Sequence, residues 1–280
     1  MRGVDLHIHT TASDGSESPA AVVAEAKKLG LAAIAVTDHD SVSGCAEAAA
    51  AGARLGVEVV PGIEISTKYR ASVHILGYYI DPQSVHLLPV LEWIVHDRDE
   101  RNRKTAQLMA ADGLPVSYEE MQQRFPGVIG RPHFAELLVE LGMAGSIKDA
   151  FDRYMNRGGK YYLGRSVLGM ERSIELIRAA GGVAVLAHPF QYRLDDAGLR
   201  ELIEHTMANG LQGMECRYSG YTAEQTAYLE ALAGEYGLVP TGGSDYHGMV
   251  KPHIQIGSGT GAMDVPYAYL EKLKAIAGRS

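Results

Sequence analysis

Two histidines one residue apart, His7 and His9, stand in the opening stretch Val4-Asp5-Leu6-His7-Ile8-His9-Thr10, and Asp14-Gly15 follows. On a β-strand, positions i and i+2 project side by side, so both imidazoles leave the same face. Neutral imidazole is the commonest protein metal ligand, and a few such groups with carboxylates make an open catalytic site. The pair alone is equally consistent with two surface histidines beside a turn. The remaining candidates decide the matter: Asp38 and His39, Glu64, His74, His188, Asp245 and His247. Of the eleven histidines, six belong to this set. His86, His96, His205 and His253 read as surface or helix residues, and His133 stands apart.

These residues need elements to position them. The chain alternates β and α. Strands are expected at Val4–His9, Ala32–Thr37, Val57–Val60 running on through Pro61-Gly62 to Ser66, Ser72–Ile80, Gly182–Ala187, Gly213–Arg217 and Leu238–Thr241. Helices follow them, several with start and stop signals such as Ser18-Pro19 and Gly30. The simplest closure is an α/β fold, a seven-stranded parallel barrel related to the TIM barrel. In a parallel barrel the C-terminal strand ends meet on one face, where the active site lies. Every metal-ligand candidate falls at or near such an end. Between about Asp81 and Arg165 strand signal lapses and helix signal dominates. The domain reading is a barrel of residues 1–96 and 166–280 interrupted by a helical insertion, 97–165, that caps the site and selects substrate.

Composition narrows the classes. The chain has 280 residues, 46% of them hydrophobic, with a net charge of −8. No apolar run reaches the roughly 18 residues of a membrane span. The acidic balance argues against a broad basic footprint for duplex DNA. The two cysteines, Cys45 and Cys216, suggest no disulfide framework, and no secretory leader is seen at the start; the expected location is cytoplasmic.

Asp5-Leu6-His7-Ile8-His9-Thr10, Thr37-Asp38-His39-Asp40, Pro61-Gly62-Ile63-Glu64, Ala187-His188-Pro189 and Gly243-Ser244-Asp245-Tyr246-His247 resemble, in order, the motifs of the PHP (polymerase and histidinol phosphatase) family. The resemblance implies a distorted seven-stranded barrel, (β/α)7, with up to three divalent metal ions. It implies a first ion on His7, His9, Glu64 and Asp245, a second on Glu64, His74 and His188, and a third on Asp14, His39 and His247. Some members have His where this chain has Asp14; the harder oxygen favours Mn²⁺ or Fe²⁺ over Zn²⁺ there. Three such ions against Asp14, Glu64 and Asp245 leave the site about three units positive, suited to a phosphate ester. The implied chemistry is hydrolysis by a metal-bridging hydroxide attacking phosphorus. Asp38 and His133 are the candidates to protonate the leaving group. Ser244 reads as a turn residue rather than a nucleophile.

The insertion carries 11 basic and 10 acidic residues over 97–165, so it is about neutral while the remainder is strongly acidic. Gly130-Arg131-Pro132-His133 opens a helix whose N-terminus suits an anion. Arg131 and His133 are the expected substrate contacts, with Lys160 and Tyr161 as further candidates. Arg98, Arg101, Arg103 and Lys104 are expected to be solvated, while Arg157 and Arg165 lie in the same stretch. Tyr161, Tyr162, Tyr218 and Tyr221 could stack on a base, although core or surface packing is the default role for any one of them. A barrel with this insertion resembles the subgroup of 3′,5′-nucleoside bisphosphate phosphatases and 5′-to-3′ exoribonucleases. The expected partner is therefore a small phosphorylated nucleotide or short RNA, with no membrane. The expected activity is phosphomonoester hydrolysis, foremost of nucleoside 3′,5′-bisphosphates. The rival readings are phosphodiester hydrolysis in short RNA, histidinol-phosphate hydrolysis, amide or lactone hydrolysis, against which the site's charge argues, and a non-catalytic metal module, disfavoured by the full ligand set.

Overall fold

A computed structural model describes residues 3–69, 72–125, 128–164 and 166–279. The chain divides into two compact units, Met1–Val90 with Val167–Ser280, and Leu91–Ser166. In the first, β1 (Val4–Ile8), α1 (Pro19–Leu29), β2 (Ala33–Val36), α2 (Cys45–Leu55), β3 (Glu58–Lys68) and β4 (Ser72–Tyr78) come before the break. In the second unit, α3 (Leu88–Ala111) leads to α4 (Tyr118–Arg124), α5 (Arg131–Glu140) and α6 (Ile147–Ala150). The barrel chain then resumes with β5 (Leu168–Gly169), α7 (Met170–Ala179), β6 (Val183–Leu186), α8 (Asp196–Ala208), β7 (Gly213–Tyr218), α9 (Ala223–Glu235), β8 (Val239–Gly243) and α10 (Tyr267–Ile276).

Seven strands follow the order β1-β2-β3-β4-β6-β7-β8, with the two-residue β5 beside β3. The chain after β8 closes the circle: Asp245 N–H donates to the His7 carbonyl at 2.8 Å and His9 N–H to the Tyr246 carbonyl at 2.9 Å. The all-parallel expectation is corrected at one strand. β4 runs antiparallel to both β3 and β6. The reason is the short connection after β3, which suits a hairpin and not a crossover. β3 itself changes partners at Pro61-Gly62. It pairs with β2 up to Pro61 and with β4 from Gly62 onward. A side chain at Gly62 would meet the Val36 carbonyl oxygen at 2.9 Å, so only glycine fits the changeover.

β1 also departs from simple alternation. Its register with β2 shifts between Asp5 and Ile8, the mark of a bulge. Val4 and Leu6 join Ala33, Ala35, Val60, Leu76, Tyr78, Val183 and Val185 in one buried cluster. Residues from strands all round the sheet can meet only inside the barrel. Ile8 instead joins Val22, Val23 and Ala26 of α1 and Ala48 and Ala51 of α2 outside it. The bulge thus reverses facing partway along the strand. Leu6 fills the interior, and His7 and His9 can both face the mouth above it. Each buried Val or Leu in these layers contributes about 1.5–3 kcal/mol.

The helical unit has its own core of Ala106, Met109, Tyr118, Met121, Phe134, Leu137, Leu138, Tyr154 and Tyr161. Ser117 and Glu120 form a reciprocal cap on α4. No helix among the described residues is long and apolar enough to cross a membrane.

Where β8 passes β1, a side chain at Gly243 would lie 2.3 Å from His7 Cβ. Gly243→Ala should therefore cost about 1–3 kcal/mol or more, as overpacking does. Urea denaturation measures it, and an unchanged midpoint would contradict so close an approach.

Candidate metal centre

Each candidate side chain reaches the barrel mouth by a local device. His7 and His9 come from the bulged end of β1. Glu64 lies on β3 past the Pro-Gly changeover, and is fixed by Asp40 N–H donating to its carbonyl at 2.9 Å. His74 belongs to the first half of β4. Because β4 is reversed, that half lies level with the C-terminal ends of its neighbours, opposite Ser66. Ala187 N–H donates to the His74 carbonyl at 3.2 Å, which brings His188 alongside. His188 and Asp245 adopt positive φ, 25° and 55°, a conformation that costs a non-glycine residue about 1–3 kcal/mol and clusters at functional sites.

Glu64 is the hub. One carboxylate oxygen lies 2.8 Å from His74 Nδ1 and 2.9 Å from His188 Nε2. The other lies 3.3 Å from His7 Nε2, 3.2 Å from His9 Nε2 and 3.0 Å from His39 Nδ1. His9 Nε2 is also 3.2 Å from Asp245 Oδ1, and His7 Nε2 is 3.6 Å from it. Asp14 lies 3.3 Å from His247 Nε2 and 3.7 Å from His9 Nδ1. Three groupings have donor atoms mutually within 4.8 Å: His7, His9, Glu64 and Asp245; His39, Glu64 and His74; and His9, Asp14, His39 and His247. All nine sequence candidates thus meet in one place. His188 joins through Glu64, and His39 lies between two groupings.

The donor set fits divalent ions. The two Nε2 atoms of His7 and His9 are 3.1 Å apart. With the contacts to Glu64 and Asp245, the first grouping has edges close to the about 3.4 Å expected for a tetrahedron of ligands 2.0–2.1 Å from an ion. Glu64 Oε2 and the Nδ1 atoms of His9, His39 and His188 are buried without a hydrogen-bond partner. Buried polar atoms rarely stay unsatisfied, and two of these, Glu64 Oε2 and His39 Nδ1, lie 3.0 Å apart.

The charges are arranged to match. Burial opposes ionisation of Glu64, yet His39, His74 and His7 hold its carboxyl well below the usual range. Burial likewise opposes ionisation of Asp245, and His9 and His7 keep it low. Burial disfavours a charge on His7, but Glu215 and Glu64 outweigh it and raise the imidazole well above its ordinary value. His9 is pushed up to about 9, because Asp245 and Glu64 outweigh burial. His39 moves the other way, down to about 3, chiefly through burial. His9 therefore carries a proton at neutral pH without an ion, whereas His39 is already a free base.

A surrounding layer supports these groups. Asp245 Oδ2 accepts from Tyr218 Oη at 2.6 Å and Lys251 Nζ at 2.7 Å, leaving Oδ1 for the cluster. Glu215 Oε1 lies 2.9 Å from His7 Nδ1, and its Oε2 accepts from His188 N–H at 2.7 Å. The sequence places Glu215 after the sixth strand, facing the pocket, without a role, and Lys251 is not a sequence candidate. The signal for Glu215 is an acidic residue between Met214 and Cys216 in an apolar strand. Nothing in the sequence marks Lys251.

Several expectations are redirected. Asp38 is buried, and its carboxylate accepts from Thr10 N–H, Thr10 Oγ1 and Ser13 Oγ at 2.7, 2.8 and 2.6 Å. Three donors suit a carboxylate that anchors the loop after β1, not one that carries a proton to a leaving group. Tyr161 is 1% exposed and stacks on Tyr154 in the helical core, so its ring is closed to a substrate. Lys160 pairs with Asp112 at 2.8 Å. Arg98 is buried rather than solvated. Arg103 keeps the exposure expected of it, at 43%, and pairs with Glu119 at 2.6 Å as well as with Glu100 on its own helix. His133 Nδ1 accepts Gly130 N–H at 3.0 Å and its ring lies against Phe125. Arg131 donates to the Met155 carbonyl at 3.4 Å and lies over Tyr162. Arg165 lies outside the described residues.

Comparison with known proteins gives concordant results. The PHP domain family model matches residues 5–230. The 3′,5′-nucleoside bisphosphate phosphatase of Chromobacterium violaceum is 34% identical over 88% of this chain and 88% of its own. The 5′-3′ exoribonuclease of Haemophilus influenzae is 34% identical over 87% of this chain and 89% of its own. A solved structure described as an amidohydrolase from Chromobacterium violaceum, with bound sulfate and no metal, superposes with a TM-score of 0.81 at 32% identity, covering 98% of this chain and 96% of that one.

Two predictions follow from the charges. Ligation needs neutral imidazole, so binding an ion must displace the His9 proton below about pH 9. Apparent metal affinity should rise between pH 7 and 9, with proton release measurable by calorimetry in buffers of different ionisation enthalpy; pH-independent binding would contradict it. Glu64→Gln should weaken metal binding by more than the about 10–100-fold seen when only supporting residues are lost. Equilibrium dialysis with Mn²⁺ or Zn²⁺ tests that.

Proposed function

Because the chain belongs to the PHP domain family, and is a phosphoesterase in consequence, we propose that it hydrolyses a phosphomonoester of a nucleotide, foremost a nucleoside 3′,5′-bisphosphate. The observation that carries this reading is the convergence of six imidazoles and three carboxylates at one barrel mouth. We assign His7, His9, Glu64 and Asp245 to a first divalent ion, Glu64, His74 and His188 to a second, and Asp14, His39 and His247 to a third. Mn²⁺, Fe²⁺ and Zn²⁺ all suit such imidazole-rich sets. When bound, such ions lower the pKa of water and neutralise phosphoryl oxygens.

The chain's own residues favour water as the nucleophile. Burial raises the Cys45 thiol to about 11 and pushes Cys216 up further. Ser244 is fully buried, and its N–H is held by Asp5 at 2.8 Å. No activated protein nucleophile remains among the site residues. The Asp14 side chain is 43% exposed and those of His39 and His74 are 22% exposed, so these three form the open side where a phosphate enters.

Substrate choice is assigned to the helical unit. Arg131 offers a bidentate grip for the second phosphate. His133 is the proton donor to the leaving group. Its Nδ1 accepts the Gly130 N–H, which places the ring proton on Nε2.

Phosphodiester hydrolysis in short RNA is the second reading. Exoribonuclease relatives match this chain at the same identity as the phosphatase relative. Phosphate and nucleotide release from nucleoside monophosphates, nucleoside bisphosphates and 5′-phosphorylated oligoribonucleotides with Mn²⁺ separates the two. The bisphosphates should show the highest kcat/KM, and a preference for RNA would overturn that choice. Arg131→Ala should raise KM at least about tenfold for a bisphosphate, while leaving a simple aryl phosphate unaffected. An equal effect on both would remove Arg131 from substrate selection.

A further inference from the structure

Glu215 stands in the middle of β7 and is completely shielded from water. An ionised carboxylate in such a place carries a desolvation penalty of several kcal/mol unless its partners offset it. Its neighbours Met214 and Cys216 are buried apolar side chains and give it nothing polar on their side of the strand. Both of its oxygens are nevertheless engaged, and each serves a different part of the metal centre. Oε1 meets His7 on the ring nitrogen that faces away from Glu64 and Asp245. Oε2 accepts the main-chain N–H of His188. The two histidines stack with ring centroids 5.8 Å apart, so one carboxylate spans both.

The two bonds do different work. A hydrogen bond at Nδ1 fixes the tautomer of His7 and leaves the Nε2 lone pair for an ion. His188 follows a strand whose regular pairing ends at Leu186. Its backbone sits at φ 25°, ψ 63°, outside the populated regions, and such strain persists only where surroundings hold it. The bond from Glu215 is that restraint, and it aims His188 Nε2 at the Glu64 oxygen opposite the one facing His7. We propose that Glu215 is the positioning residue that couples the two halves of the metal centre, setting the His7 tautomer with one oxygen and the His188 main chain with the other. The inference rests on the metal-centre assignment above.

Glu215→Gln is the test. Glutamine keeps the shape but has one acceptor oxygen, so its NH₂ must confront either His7 Nδ1–H or His188 N–H. Zn²⁺ affinity, read by competition with a chromophoric chelator, should fall about 10–100-fold. The visible spectrum of the Co²⁺-loaded variant should change while its far-UV circular dichroism stays native. Unaltered affinity and spectrum in the folded variant would overturn the inference, as would a lowered Tm with unaltered affinity. If the variant does not fold, the wild type decides. Long-range ¹H–¹⁵N correlation on the Zn²⁺-loaded protein, with His7 identified by the signal lost in His7→Gln, should show protonated Nδ1 and metal-bound Nε2. The opposite tautomer would overturn the proposal. A wild type that binds no Zn²⁺, Mn²⁺ or Co²⁺ would instead overturn the metal-centre assignment itself.

Discussion

Five imidazoles lie within 3.3 Å of the carboxylate of Glu64, and water does not reach it. Burying one carboxylate is costly, and setting five nitrogen bases around it is tolerable only if charges and lone pairs are matched. Without an ion, protons on His7 and His9 supply part of that match. Even so, Oε2 is left close to three nitrogens with hydrogen-bond geometry to none. A buried carboxylate ringed by imidazoles, with one oxygen left unbonded, is a place for cations. Much of the barrel's irregularity serves to bring those five rings to one residue.

Three departures from a regular barrel do that work. The bulge in β1 lets Leu6 fill the interior and His7 face the mouth. The Pro61-Gly62 changeover carries β3 beyond its pairing with β2 and delivers Glu64. The reversal of β4 lifts His74 to the same level. Much of this was readable from residues alone. The strand positions, the α3–α6 helices and the convergence of ligand-type residues follow from period, caps and spacing. The direction of β4 does not, because alternation looks the same read either way. The bulge is hidden for a related reason: Val4, Leu6 and Ile8 alternate perfectly in sequence but divide between two cores.

Roles that depend on tertiary partners were harder to read. Asp38 carries a motif position, yet its lone pairs are committed to Thr10 and Ser13. Tyr161 follows a glycine pair that looks like an exposed loop, and it packs in a core. Lys251 is six residues beyond Asp245 and returns to it through a turn that no periodicity describes. In each case the neighbour that defines the function is supplied by the fold and not by the adjacent sequence.

The supporting layer also changes the electrostatics. With three divalent ions bound, Asp14, Glu64 and Asp245 alone would leave the site about three units positive. Glu215 adds a fourth carboxylate in contact with His7, and Lys251 returns one positive charge beside Asp245. The second-layer charges thus offset one another, but at opposite sides of the cluster. The buried carboxylate backs His7 inside the barrel, whereas the ammonium group is partly exposed. Charge arranged in this sense favours an anion approaching from solvent over one already buried. The residues outside 97–165 are acidic by about nine units, and screening confines interactions between exposed charges to about 8–10 Å at physiological salt. Attraction of an anion to the barrel mouth must therefore be local, and Lys251, 2.7 Å from Asp245, is a basic side chain placed beside the ligand cluster to supply part of it.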